Sequence, residues 1–161
     1  MKKRIFIISI IVLILDQLSK IIANMYLTLG KSIKVINNFF YLSYVYNEGA
    51  AWSILKTQRL LLILIGFIAL FLVYSFIKDF EENKRNILSF GLIIGGILGN
   101  LLDRIFLGYV RDFLDFKIFG YNYPIFNISD IGICIGVFLL IISIIKGEED
   151  GSSSRKKLKN R

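Results

Sequence analysis

Histidine is absent from this chain of 161 residues. That absence excludes a Ser-His-Asp triad, a Cys-His nucleophile pair and the two-histidine HExxH zinc site, so any hydrolysis must draw on other groups. Cysteine occurs once, at Cys134 inside an apolar run. One thiol builds neither a disulfide framework nor a four-thiolate metal site, and Cys134 reads as a small packing residue. Proline also occurs once, whereas 55% of the residues are hydrophobic and 14% aromatic. Such a chain is too apolar for a water-soluble domain and belongs in a membrane. A hydrocarbon core about 30 Å thick needs roughly 20 apolar residues per helical pass, which leaves room for about four passes and no second domain.

Four apolar stretches fit this count, at about residues 5–28, 60–77, 87–107 and 125–145. The first follows Lys2, Lys3 and Arg4 as a signal peptide would, but no small-residue cleavage site follows and the apolar pattern resumes at Ile21, so it reads as an uncleaved span. A single membrane domain over 1–146 is expected. Residues 147–161 are charged and serine-rich, with nothing to bury, and read as a disordered basic tail. Between spans one and two, Phe39, Phe40, Tyr41, Tyr44, Val45 and Tyr46 favour short strands over helix, and the segment from Gly108 to Pro124 reads alike. The expected fold is an integral membrane, mainly α protein of four transmembrane helices with a small β-rich element outside the cytoplasm.

Twelve lysines and arginines fall in the 29 residues of the N-terminal end, the 78–86 link and the tail; seven are spread over the two long loops and their borders. This bias puts both termini in the cytoplasm and both structured loops outside. It also accounts for the net charge of +8 without nucleic acid as a partner, through attraction to anionic membrane lipid.

Function is written in polar residues the spans should not contain, because ionisable groups at membrane depth are costly and mark sites or pathways. Counting from the cytoplasmic charges, Asp16, Asn100, Arg104 and Asp130 all lie roughly 18 to 28 Å up their helices, in the outer half of the membrane. In the third span Gly91, Gly95 and Gly99 repeat at four residues, a stripe for close helix packing. Asn100 shares a face with Asp103 and Arg104. Asp103 beside Arg104 suits an ion pair at the helix end, and the planar guanidinium of Arg104 suits a substrate's anionic or carbonyl group. Asp16 and Lys20, four apart, suit an ion pair that makes a buried charge tolerable.

Five segments, in this order, resemble the bacterial lipoprotein signal peptidases (signal peptidase II): Asp16-Gln17-Leu18-Ser19-Lys20, Asn47-Glu48-Gly49-Ala50-Ala51-Trp52, the block from Gly95 to Arg104, Val110-Arg111-Asp112-Phe113, and Phe126-Asn127-Ile128-Ser129-Asp130. The resemblance implies an intramembrane aspartic peptidase of the bacterial cytoplasmic membrane. Such an enzyme works near the outer face and removes the signal peptide from diacylglyceryl-modified prolipoproteins, before the lipidated cysteine. Carried across by position, the catalytic pair falls on Asp112 and Asp130. Asn47, Asn100, Arg104 and Asn127 fall on substrate-binding positions, and Asp16, Lys20, Gly49 and Asp103 on structural or supporting ones. No metal or cofactor is implied, and a monomer is expected. Arg111 stands where a smaller apolar residue is usual. Pointing into the site it would lower the pKa of Asp112; alternation along a strand would aim it away.

The chemistry stands without the resemblance, since two carboxylates sharing one proton hydrolyse peptides, one activating water while the other protonates the carbonyl. Asp115 is the natural decoy for Asp112. A non-catalytic carrier or lipid-binding protein, with the two aspartates as counter-ions, is the alternative. The apolar cytoplasmic halves of spans two and four disfavour it, because alternating access needs a polar route there.

Overall fold

The computed structural model describes residues 1–49 and 54–148. Ala50, Ala51, Trp52 and the tail from residue 149 onward lie outside the described residues. Four long helices, α1 (Lys2–Tyr26), α2 (Arg59–Phe76), α3 (Lys84–Phe106) and α4 (Ile128–Ile145), are each long and apolar enough to cross a membrane. A short 3-10 turn, Ile77–Asp79, follows α2. Four strands lie at the end of the bundle away from Met1: β1 (Ser32–Ile36), β2 (Phe40–Asn47), β3 (Val110–Ile118) and β4 (Tyr121–Asn122). They form one antiparallel sheet in the order β1-β2-β3-β4. The protein is an integral membrane, mainly α protein carrying a small sheet.

Helix α3 is the centre of the bundle, and its small residues explain why. A Cβ on Gly95 would stand 2.7 Å from the Ser9 carbonyl oxygen of α1, and one on Gly96 would stand 2.5 Å from that of Ser129 at the start of α4. Neither position admits a side chain. With no hydrophobic drive between helices in lipid, such close backbone approach lets van der Waals packing hold them together. Ser9 Oγ donating to Gly91 O at 3.2 Å and Ser89 Oγ donating to Gly136 O at 2.7 Å fasten the same two seams. Helix α2 packs chiefly on α3, touches α1 where Lys2 Nζ donates to Tyr74 OH at 3.0 Å, and turns most of its apolar surface outward.

Helix α4 begins at Ile128, three residues later than the apolar run suggests. Asn127 caps it, and the preceding Phe126 bridges to Leu114 in β3, so Ile125 and Phe126 leave the sheet rather than enter the helix. Small residues mark the buried face of α4: Ser129, Gly132, Gly136 and Ser143. Cys134 falls off that face and is exposed, which corrects its reading as a packing residue. At the end bearing Met1, its amino group pairs with Glu82 at 2.8 Å and Arg85 with Glu148 at 2.8 Å.

Candidate active site

A cavity of about 580 Å³ opens between the sheet and the adjacent ends of α3 and α4. Its polar wall consists of Asn47, Asn100, Arg104, Asp112 and Asp130; Tyr123 to Phe126, Ile131 and Ile133 to Ile135 supply an apolar wall. Four secondary elements, β2, β3, α3 and the start of α4, deliver the two carboxylates and their partners. Asp112 comes from β3, where its neighbour across the ladder is Val45. Asn47 at the end of β2 lies on the same sheet face, one diagonal step away, and donates Nδ2 to Asp112 Oδ2 at 2.9 Å.

Asn127 joins the two carboxylates. Its Nδ2 donates to Asp112 Oδ1 at 2.6 Å and to Asn100 Oδ1 at 3.1 Å, and its backbone N–H donates to Asp130 Oδ2 at 3.1 Å. Asn100 Nδ2 completes the ring with a bond to Asp130 Oδ1 at 2.7 Å. No ion pair among the described residues engages Asp112 or Asp130, although the charge of Arg104 lies within electrostatic reach of both. Burial, and then the negative charge of Asp130, push the Asp112 carboxyl up to about 7. A carboxyl so placed carries a proton at a pH where an ordinary aspartate has lost it.

Behind the ring lies a fully buried ion cluster. Lys20 Nζ stands 2.8 Å from Asp16 and 3.4 Å from Asp103 and donates to Asn100 Oδ1 at 3.0 Å. Asp16 Oδ1 also accepts the Ser129 backbone N–H at 2.9 Å, tying α1 to the first turn of α4. Asp103 does not pair with Arg104. Besides Lys20 it pairs with Arg111, at 2.7 Å, and Arg104 turns instead to the cavity, donating Nη2 to Gly49 O at 3.0 Å while its buried Nε has no partner among the described residues. Gly49 itself is buried, and its N–H donates to Asn47 Oδ1 at 3.0 Å. Asp115 accepts from Ser43 Oγ at 2.6 Å and does not line the cavity.

Sequence reasoning assigned no role to Gln17, yet its amide donates to Asp16, Gly99 O and Asp103 at 3.1 to 3.2 Å. The signal was present: an uncharged amide beside a membrane-depth aspartate has to find partners inside the protein. The apolar wall was missed for a different reason, since in a chain this hydrophobic an apolar residue carries no message until its surroundings are known.

This geometry has close counterparts. A solved bacterial membrane enzyme superposes with a TM-score of 0.81 at 40% identity, covering 88% of this chain and 87% of that one. A second gives 0.79 at 39% identity over 88% and 92%. Lipoprotein signal peptidases of Staphylococcus aureus strains JH9 and Newman are each 42% identical over 151 residues, 93% of this chain and 91% of theirs. The profile of signal peptidase (SPase) II matches residues 8–146, nearly the whole described structure, and the chain therefore belongs to the signal peptidase II family.

Proposed function

We propose that this protein is a lipoprotein signal peptidase of the aspartic type, cutting diacylglyceryl-modified prolipoproteins just before the lipidated cysteine. The observation that carries the reading is the placement of Asp112 and Asp130 on one cavity wall, joined through Asn127 and free of any cation paired to them. Burial and the negative charge of Asp130 favour the protonated form of Asp112, so in this reading one carboxyl of the pair holds a proton while the other is ionised. The ionised member takes a proton from water while the oxygen of that water attacks the scissile carbonyl carbon. The protonated member, the role that suits the raised Asp112, gives its proton to the carbonyl oxygen. Collapse of the tetrahedral intermediate breaks the C–N bond; the proton taken from water passes to the leaving nitrogen, and one hydroxyl proton of the diol returns to the carboxylate that had protonated the carbonyl oxygen, which restores the pair. This chemistry needs no cofactor.

Substrate recognition follows from the two walls. The Arg104 guanidinium and the Asn47 and Asn100 amides suit the polar main chain and ester groups near the cut, and the apolar wall on α4 suits the lipid and the signal helix. The charge bias of the loops supports an orientation in the bacterial cytoplasmic membrane with both termini inside and the cavity near the outer face. Incubating the purified protein with a synthetic diacylglyceryl prolipoprotein and weighing the products tests the reading. Release of the intact signal peptide is expected; no release, or equal release from the unlipidated peptide, would overturn it.

A further inference from the structure

Arg111 is charged, half-buried and unused by the catalytic reading. It precedes Asp112 in β3, and strand alternation sends the two side chains to opposite faces. On its own face Arg111 is held more firmly than a surface ion pair. Asp103 Oδ2 accepts its backbone N–H at 3.0 Å and its Nε at 3.2 Å, and Oδ1 accepts its Nη2 at 2.7 Å. The same Nη2 donates to Gln17 Oε1 at 2.8 Å. One guanidinium thus ties the start of β3 to α3 and α1 together, in a planar two-pronged geometry that an ammonium does not reproduce.

The charges behind the strand also balance. Asp16 and Asp103 face Lys20 and Arg111, and Lys20 still reaches Asn100, the amide that bonds to Asp130. Without the charge of Arg111 the cluster gains a net negative charge next to Asp112, and Asp103 draws on Lys20 alone. The charged groups around Asp112 itself are Asp130 from α4, Lys20 from α1 and Arg104 from α3, with Asp103 and Arg111 behind the strand; β2 presents the neutral Asn47.

We propose that Arg111 is a positioning residue for peptide cleavage: clamped to Asp103 and Gln17, it fixes the direction in which β3 presents Asp112 and keeps the charge behind the catalytic pair balanced. The inference rests on the aspartic reading above. It makes separate demands on the fork and on the charge, and three variants separate them: Arg111→Gln, Arg111→Lys, and Asp103→Asn with Arg111→Gln. The experiment is kcat and KM against pH on a lipidated prolipoprotein, with a melting curve for each protein.

Arg111→Gln should lower kcat roughly tenfold or more through misplacement of the carboxyl. KM should stay within about twofold, since Arg111 does not line the cavity. The alkaline limb of kcat, where the shared proton is lost, should move up by about one pH unit because the added negative charge favours the protonated form. Arg111→Lys should leave the limb in place and still lose turnover. The double variant removes one charge of each sign, so its limb should return to the wild-type position. A limb that stays put in a folded Arg111→Gln, or a loss that appears in KM alone, would overturn the inference, as would wild-type turnover in Arg111→Lys. Failure of the wild-type protein to cleave would instead overturn the aspartic reading itself. Should Arg111→Gln not fold, the lysine variant and the double variant still decide.

Discussion

Asn127 and Asp130 cap one another. Asn127 Oδ1 accepts the Asp130 backbone N–H at 3.2 Å, and Asp130 Oδ2 accepts that of Asn127 at 3.1 Å, the reciprocal capping box that starts α4. The asparagine amide left over from this local task reaches Asp112 at 2.6 Å. The signal that begins a helix therefore also fixes one carboxylate against the other.

The two roles of Asn127 separate in Asn127→Ser. Serine caps a helix about as well as asparagine, so stability should change by less than about 1 kcal/mol. Its hydroxyl is too short to keep the bond to Asp112 as well, and cleavage of a lipidated substrate should fall by about a hundredfold. A melting curve and a turnover assay on the same preparation check this; full activity would detach Asn127 from the site.

Asp112→Asn and Asp130→Asn should each remove activity almost completely. The double variant should be little worse than either, because groups that act as one unit are strongly non-additive. Asp130→Asn carries an additional loss of stability, as its carboxylate caps α4 and accepts from Asn100. Asp115→Asn, whose partner is Ser43, should keep most of the activity. Robust cleavage by either single variant would remove that residue from the pair.

Stability should also report on Asp112. Its carboxyl is raised to about 7 in the folded protein, whereas an unfolded aspartate titrates near 3.9. Between these values the native state holds a proton the unfolded chain has released, so this group's contribution to stability declines as pH rises from about 4 to about 7 and is flat above. Asparagine mimics the neutral form and has no such slope. The melting temperature of the wild type relative to Asp112→Asn should therefore fall across that window; a difference independent of pH would mean that Asp112 is not raised.

The helices were legible because apolar runs long enough to cross a bilayer leave few alternatives, and the Gly91, Gly95 and Gly99 stripe marked α3 for close packing, although not its central place. The start of α4 was displaced because Ile125 and Phe126 are as apolar as the helix itself. The asparagine followed three residues later by aspartate was the better guide to where it begins. Hydropathy could not place Cys134, since a helix apolar all round does not declare its buried face; the small residues Ser129, Gly132 and Gly136 do. Asp103 was read toward its sequence neighbour Arg104, whereas its true partner, Arg111, comes from another element. That contact is created by packing β3 on the end of α3, and no local pattern encodes it.

Orientation gives the last prediction. Lys2 to Arg4, Lys78, Lys84 and Arg85 lie at the end of the bundle where the Met1 amino group meets Glu82, and the sheet with its cavity lies at the other. Basic residues are retained on the cytoplasmic side, so the cavity end should face outward. In a Cys134→Ser background, cysteine at Lys34 on β1 or at Phe119 in the β3–β4 turn, both exposed, should react with an impermeant thiol reagent added to intact cells. Cysteine at Lys78, exposed beyond α2, should react only after lysis. The background substitution removes the one native thiol, whose exposure on α4 would otherwise confuse the readout. Labelling at Lys78 in intact cells, with Lys34 protected until lysis, would invert the protein and overturn the proposed placement of the cavity near the outer face.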